Sequence, residues 1–336
     1  MTRFQGGVLA NGSRIAVISN DAIGNFVVVT PLLQMLRSQH PGSTILYVGG
    51  LRTADLQSES TLFESSIAFW GQNPADQTAF LAQHAASYDL VVNVEQTAFS
   101  KVVAGLLAKP EAPVCGPCMG VGGRGDFPFE DTEQGRLWMD KEWIAPDIVQ
   151  KYACLTSGFI GEIFCRAAYC EGPVPRYAVP RAPATQGADV LVAVSASLPD
   201  KLWSAENWVQ VVDYCIARGL TVGLIGAKPS IGKNFWLGYE AEQAISESAA
   251  MDLRGTMSLP QVTNAIERAR LVVTLDNGIL HLAAATDTPT VGLFRYGIHR
   301  LWAPPTPNLT VLHAQEGRTV NSITLPAVQE AIDNAL

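Results

Sequence analysis

Residues 269–294, ARLVVTLDNGILHLAAATDTPTVGLF, decide the fold class of this chain. Residues 271–275 form an apolar run rich in β-branched side chains, and a second apolar run occupies residues 290–294. An Asp276-Asn-Gly turn follows the first run, and we expect a helix to begin near Gly278. A strand–helix–strand unit with fully apolar strands is typical of a parallel sheet that helices cover on both faces.

The same alternation continues in both directions from this segment. We predict strands at residues 14–19, 44–48, 89–94, 189–195 and 221–225, and helices at residues 25–39, 205–218, 258–268 and 326–336. Pro31 is expected early in its helix, where a missing N–H costs least. The pattern predicts an α/β protein with two Rossmann-like, doubly wound parallel-sheet domains that face each other across a cleft.

A proline-rich segment separates the two predicted domains. Residues 171–188 contain four prolines, which neither a helix nor a central strand tolerates. We therefore expect an N-terminal domain at residues 1–175 and a C-terminal domain at residues 176–336. Whether the closing helix packs back on the first domain stays open.

The composition excludes several classes of protein. The 336 residues are 48% hydrophobic and carry a net charge of −8, so we expect a sizeable core and no nucleic-acid partner. No apolar run reaches the ~18 residues that a membrane-spanning helix needs. Residues 1–13 lack the apolar stretch of a signal peptide. These features predict a cytoplasmic protein with no transmembrane segment.

Six cysteines occur, and we expect them to be thiols. Cys115-Gly-Pro-Cys118 matches the C-x-x-C redox motif, but it opens an irregular, Gly-rich region at residues 109–129 rather than a helix. A redox role and a structural metal site remain alternatives to buried thiols. Two Gly-rich stretches partly match nucleotide-binding motifs. Residues 120–125 fit G-x-G-x-x-G but lack the strand before and the helix after that the motif requires, and residues 226–233 lack the spacing of a phosphate-binding loop.

Three loops at predicted strand ends carry better candidates. In the first loop, Gly24 permits close backbone approach to a ligand, and Asp21 is either a general base or a helix N-cap. In the second loop, Ser197 and Lys201 either hold a phosphate or belong to an ordinary surface loop. The third loop is the Asp276-Asn-Gly turn of the opening segment.

That third loop combines several groups suited to an anionic ligand. Asn277 and Gly278 open a helix, whose N-terminus offers N–H groups to a diphosphate. Asp276 can accept a sugar hydroxyl. His281 lies one turn into the helix, where it is either structural or directed at a ligand.

These blocks resemble the ADP-heptose:lipopolysaccharide heptosyltransferases, the family 9 glycosyltransferases of GT-B fold. Residues 14–36 (RIAVISNDAIGNFVVVTPLLQML) are similar to the family's first strand, its D-x-x-G-D loop and its T-P-L-L helix. Residues 201–208 (KLWSAENW) are similar to its K-x-W and E-N-W segments. Residues 253–259 and 269–294 are similar to its donor-binding block.

The resemblance implies inverting transfer of a sugar from a nucleotide sugar, typically ADP-heptose, without a metal or another cofactor. It implies that the C-terminal domain binds the donor and that the N-terminal domain presents a glycan or lipid-linked acceptor and the base. A lipid-linked acceptor would bring peripheral contact with a membrane. The resemblance assigns donor-binding roles to six residues: Ser197 and Lys201 at the diphosphate, Asp276 at the sugar, and Asn277, Gly278 and His281 at the phosphate site.

Two positions depart from the family pattern. Asn25 stands where the family has its catalytic acid, and an amide cannot accept a proton near neutral pH. Either Asp21 substitutes, or another acid does, or the protein binds sugar nucleotides with little or no catalysis. Arg295-Tyr-Gly also replaces the family's Gly-Pro-Thr, which leaves the donor preference open.

Overall fold

The computed structural model describes residues 1–120, 122–228 and 237–336. The chain forms two compact units, Met1–Ala178 and Val179–Leu336. The boundary lies inside the proline-rich segment, close to the predicted division between residues 175 and 176. The first is called unit 1 and the second unit 2.

Unit 1 is built on one sheet. Its strands are β1 Thr2–Arg3, β2 Arg14–Ile18, β3 Thr44–Gly50, β4 Ser65–Trp70, β5 Leu90–Asn93 and β6 Pro113–Cys115. They pair in the order β1-β6-β5-β2-β3-β4, and every pair is parallel. Its helices are α1 Ile23–Gln39, α2 Ala54–Ser58, α3 Pro74–His84, α4 Ala98–Leu107, α5 Glu133–Met139, α6 Ile148–Lys151 and α7 Ile160–Ala167.

Unit 2 repeats this design. Its strands are β7 Val190–Ala193, β8 Val222–Leu224, β9 Met251–Asp252, β10 Leu271–Leu275, β11 Thr290–Phe294 and β12 Leu309–His313. They pair in the order β12-β11-β10-β7-β8-β9, again all parallel. Its helices are α8 Ala205–Ile216, α9 Tyr239–Ser246, α10 Leu259–Arg268, α11 Gly278–Ala284, α12 Ile298–Trp302 and α13 Leu325–Ala335.

Burial explains why the central strands could be predicted. All residues of β5, β7, β10 and β11 are buried, because helices cover both faces of each sheet. Such strands therefore appear in the sequence as short, largely apolar runs.

In each unit the strand order reverses at one position. In unit 1 the chain moves from β2 to β3 on one side and later to β5 on the other. In unit 2 it moves from β7 to β8 on one side and later to β10 on the other. Ligands of open parallel sheets bind at the carboxyl ends of the strands at such a reversal. These two positions, called switch points below, are where a site is expected.

The prediction that Pro31 lies early in its helix was wrong, because α1 begins at Ile23 and Pro31 lies in its middle. Proline cannot donate a hydrogen bond to the carbonyl of Val27. The hydroxyl of Thr30 donates to that carbonyl instead, at 2.7 Å. This local substitution lets α1 continue through the proline.

The C-terminal helix α13 contributes to the core of unit 2. Its buried residues Val328, Ala331 and Ile332 belong to the core of unit 2, where α13 packs on α8 and β11. The apolar face of the helix is thus covered by its own unit.

The irregular region expected at residues 109–129 contains a strand. β6 pairs with β1 and β5, and three residues are too few to show a periodic pattern. Within the described ranges, no helix has both the length and the apolar character needed to cross a lipid bilayer.

Candidate functional site

The switch point of unit 2 holds a buried ion pair between two of the predicted site residues. Lys201 ends a 3-10 turn after β7, and Asp276 directly follows β10. The Lys201 Nζ lies 2.8 Å from Oδ2 of Asp276 and donates to its backbone oxygen at 3.2 Å. The two side chains are only 15% and 5% exposed, respectively. The parallel pairing of β7 with β10 brings these residues together across 75 positions of sequence.

Lys201 keeps capacity for a further ligand. An ammonium group has three N–H donors, and one of them donates to the backbone oxygen of Asp276. Within the described part of the chain, no other acceptor takes a hydrogen bond from this ammonium, and Oδ2 of Asp276 is its ion-pair partner. A phosphate oxygen at the mouth of the switch point would therefore find a charged donor that Asp276 already holds in position.

Asn277 caps the helix that follows β10. Its Oδ1 accepts the backbone N–H groups of Ile279, at 2.9 Å, and of Leu280, at 3.3 Å. Its Nδ2 donates to the backbone oxygen of Ser195 at 3.0 Å, which ties the β7 loop to the β10 loop. The sequence suggested the N–H groups of this helix start as donors to a diphosphate, and two of them already donate to Asn277. Gly278 is the first residue of α11.

His281 lies inside unit 2 rather than at an open edge. It is 2% exposed and packs edge-on against the ring of Trp302. Burial lowers the pKa of His281 to about 4, although the Asp276 carboxylate acts in the opposite direction. The imidazole is therefore neutral near pH 7, so it packs beside the site and adds no positive charge.

The β7 loop contributes differently from the expectation. Ser197 is exposed, while the hydroxyl of Ser195 donates to Glu242. The neighbouring Asp200 accepts a hydrogen bond from Nη1 of Arg295 at 2.8 Å. Sequence reasoning missed this second ion pair, which ties the 3-10 turn to the end of β11 as Lys201 ties it to β10. The unusual Arg295 therefore holds the turn that presents Lys201.

At the switch point of unit 1, Asp21 is engaged by Arg52. Its Oδ1 accepts the backbone N–H of Arg52 and its Oδ2 accepts the Nε, both at 2.7 Å. The carboxylate also lies against Gly50, where a Cβ would come within 2.1 Å of Oδ1. Asp21 is thus neither the cap of α1, which begins after Ala22 with no side-chain cap, nor an unengaged base.

The first turn of α1 contains the other two predicted residues. Gly24 is buried and Asn25 is half-buried, and this turn contains no acidic residue. The turn therefore lacks the carboxylate that the resemblance leads one to expect at position 25.

A second carboxylate at this switch point was missed. Glu95 follows β5, and its Oε2 accepts a hydrogen bond from Nδ2 of Asn20 at 2.7 Å. The Oδ1 of the same Asn20 accepts the N–H of Ala22 at 2.8 Å, so one amide joins Glu95 to the start of α1. Nothing in the sequence signals this contact, since it depends on β5 lying beside β2.

The cysteines show no activated thiol. All six are free, and burial raises the pKa of Cys115 to about 12 and that of Cys118 to about 11. A redox thiol needs the opposite shift. Among residues 1–120, 122–228 and 237–336, no three His, Cys, Asp or Glu side chains are grouped to hold a metal. The Gly-rich stretches at 120–125 and 226–233 fall partly outside the described residues, at 121 and 229–236.

Comparison with known proteins identifies the family of this chain. The model of glycosyltransferase family 9 (heptosyltransferase) matches residues 139–324, more than half of the chain. Lipooligosaccharide heptosyltransferase 2 of Haemophilus influenzae is 26% identical over 125 residues, which are 36% of this chain and 35% of that protein. Lipopolysaccharide heptosyltransferase 2 of Salmonella typhimurium is 30% identical over 129 residues, 38% of this chain and 34% of that one. The chain thus aligns with about a third of the length of these relatives.

Solved structures resemble the chain over nearly its whole length. The family 9 glycosyl transferase from Veillonella parvula superposes with a TM-score of 0.73 at 15% identity, covering 97% of both chains. E. coli ADP-heptose lps heptosyltransferase II superposes with a TM-score of 0.68 at 16% identity, covering 96% of this chain and 98% of that one. The predicted fold class, GT-B-like with two Rossmann-like parallel sheets, is confirmed. The chain belongs to glycosyltransferase family 9.

Proposed function

We propose that this protein is an inverting glycosyltransferase that takes a sugar from a nucleotide sugar, with ADP-heptose as the favoured donor. The acceptor is a glycan or lipid-linked glycan. We place the reaction in the cytoplasm, with peripheral membrane contact where the acceptor is lipid-linked. The observation that carries the proposal is the buried Lys201–Asp276 pair at the switch point of unit 2.

The pair suits a nucleoside diphosphate sugar for a physical reason. When the bond between sugar and diphosphate breaks, negative charge develops on the leaving phosphate oxygen. A fixed ammonium in a water-poor site stabilises that charge without reorganisation. Lys201 would supply this role, so the reaction would need no metal, and the Asp276 carboxylate would bind sugar hydroxyls.

Inversion requires a single displacement. A base on unit 1 removes the proton of the acceptor hydroxyl, whose oxygen attacks the anomeric carbon as the nucleoside diphosphate leaves. Resemblance places that base at the start of α1, where Asn25 stands instead.

A donor screen tests the proposal. A ligand at about 100 times its Kd stabilises a protein by about 2.7 kcal/mol, which a thermal shift detects. We expect ADP and ADP-heptose to raise the Tm, and Lys201→Met to weaken ADP binding in calorimetry. Lys141→Met, which removes an exposed lysine of unit 1, is the matched control. EDTA should leave turnover unchanged. A protein that binds no nucleotide or nucleotide sugar contradicts the proposal.

A second function is favoured by Asn25 and by the engagement of Asp21 with Arg52. On this alternative the protein binds a sugar nucleotide or glycan and does not catalyse transfer. It predicts donor binding without turnover in the wild type and the appearance of donor hydrolysis in Asn25→Asp. Turnover by the wild-type protein excludes it.

A further inference from the structure

The first turn of α1 lacks a base, so another group must accept the acceptor proton if transfer occurs. Two carboxylates follow the strands that meet at the switch point of unit 1. Asp21 comes after β2 and Glu95 comes after β5. Their surroundings decide between them.

Asp21 is poorly suited to accept a proton. Both of its oxygens receive hydrogen bonds from Arg52, and one of those bonds comes from the guanidinium. Protonation of Asp21 would remove its negative charge and so break the ion pair with Arg52. The carboxylate also lies against Gly50 at the end of β3, on the opposite side of β2 from β5. Asp21 therefore serves to hold the β3 loop.

Glu95 has a different set of partners. Its Oε2 accepts from the Asn20 amide at 2.7 Å, and its Oε1 accepts the backbone N–H of Gln96 at 2.8 Å. Both donors are neutral, so protonation breaks no ion pair with them. Each carboxylate oxygen accepts more than one hydrogen bond, which leaves capacity for a hydroxyl donor. Glu95 is half-buried, so a ligand can reach it.

The side-chain amide of Asn20 fixes where this carboxylate lies. Asn20 donates to Glu95 and accepts from Ala22, so the orientation of its amide is set at both ends. Ala22 precedes the first turn of α1, which has neither a side-chain cap nor an acidic residue. The partial positive charge of that helix end favours a carboxylate nearby. Glu95 thus supplies negative charge beside the turn that contains Asn25.

We propose that Glu95 is the general base of the transfer reaction and that Asn20 is its positioning residue; this rests on the proposed function. The Glu95 carboxylate takes the proton of the acceptor hydroxyl. The hydroxyl oxygen forms a bond to the anomeric carbon, and the bond from that carbon to the phosphate oxygen breaks. Its electron pair leaves with the nucleoside diphosphate.

The test compares the wild type with Glu95→Gln, Asn20→Ala and the control Glu111→Gln, which alters an exposed carboxylate of unit 1. ADP release from ADP-heptose, with water as the acceptor, measures turnover as a function of pH. Calorimetry with ADP measures donor-site binding. We expect Glu95→Gln to lower kcat by about 10²–10⁴-fold with an unchanged ADP Kd. Its kcat should also lose the decline at low pH that reports protonation of the base.

Asn20→Ala should move that decline to higher pH, because the carboxylate loses a donor that stabilises its charged form. A merely structural role for Asn20 would not move it.

Three results would overturn the assignment. Glu95→Gln within threefold of the wild type shows that Glu95 is not the base. A wild type that binds ADP but releases none from ADP-heptose shows that Glu95 activates no nucleophile, and the binding function stands. A wild type that binds no ADP removes the proposed function and the assignment together, and the ADP Kd separates these last two cases.

Discussion

The two switch points use the same strand geometry to hold different chemistry. In unit 2, Asp276 is paired with a lysine inside the protein, and the neighbouring Asn277 caps a helix. In unit 1, Glu95 accepts a hydrogen bond from the neutral amide of Asn20, and the cation Arg52 pairs with Asp21 instead. The difference teaches that one strand order can place a carboxylate beside a cation or beside a neutral amide. The neighbours of each carboxylate, rather than the fold, decide which results.

The largest expected effect on stability comes from a substitution that breaks the buried ion pair of unit 2. Lys201→Met leaves Asp276 charged and unpaired at 5% exposure, which should cost about 3 kcal/mol of unfolding free energy. Arg52→Met removes the corresponding cation of unit 1, where the side chains of Arg52 and Asp21 are 42% and 23% exposed, and should cost less than about 1 kcal/mol. Urea denaturation of both variants measures the contrast. Equal losses would show that burial does not distinguish the two pairs.

The next prediction concerns pH. The pKa of His281 falls from 6.5 to about 4 on folding, so as pH drops the unfolded chain binds this proton first. The stabilisation is complete above about pH 6.5 and is lost as the pH approaches 4, by roughly 3 kcal/mol. His281→Gln should flatten the fall in unfolding free energy between pH 7 and pH 5. An unchanged slope in His281→Gln would count against a buried neutral imidazole.

A third prediction tests how Asp21 is held in unit 1. A Cβ on Gly50 would lie 2.1 Å from Oδ1 and 2.4 Å from Cβ of Asp21, so Gly50→Ala should cost about 2 kcal/mol. In the Asp21→Gly background the same change should cost clearly less, since the Oδ1, Cβ and Cγ atoms that the new Cβ meets are all removed. Gly187→Ala has open space and serves as the control. Additive losses in the double variant would contradict the contact.

The smallest effect compares the two helix starts. Asn277 caps α11, whereas Ala22 precedes α1 without a side-chain acceptor. Ala22 already has the extended backbone of a cap residue, so Ala22→Ser should stabilise unit 1 by about 0.5–1 kcal/mol. Asn277→Ala should destabilise unit 2 by about 1 kcal/mol. Thermal unfolding of each variant measures both signs, and a loss of stability in Ala22→Ser would show that a hydroxyl cannot cap α1.

Elements with local patterns could be predicted, and elements without them could not. The apolar runs at β10 and β11 are confirmed as strands. They could be predicted because burial on both faces favours apolar side chains along the whole strand. The short strands β1 and β6 were missed, since two or three residues show no periodicity. The helices α5 to α7 lie in the middle of the chain, where the sequence matched the family poorly.

The candidate site divides in the same way. The motif Asp276-Asn-Gly could be located because strand, turn and helix follow one another along the chain. Glu95 could not, because it meets Asn20 across 75 residues of sequence. The burial of His281 was equally hidden, since it depends on Trp302 packing against it from α12.

The sequence by itself determined the two α/β units, the proline-rich division between them and the polar loops that follow the strand ends. These features follow from local periodicity and from the conformational limits of proline and glycine. Only the tertiary structure decided which cation or amide each carboxylate meets. Neighbouring strands of a parallel sheet come from distant parts of the chain, and the partner across that distance sets whether a carboxylate meets a cation or a neutral amide.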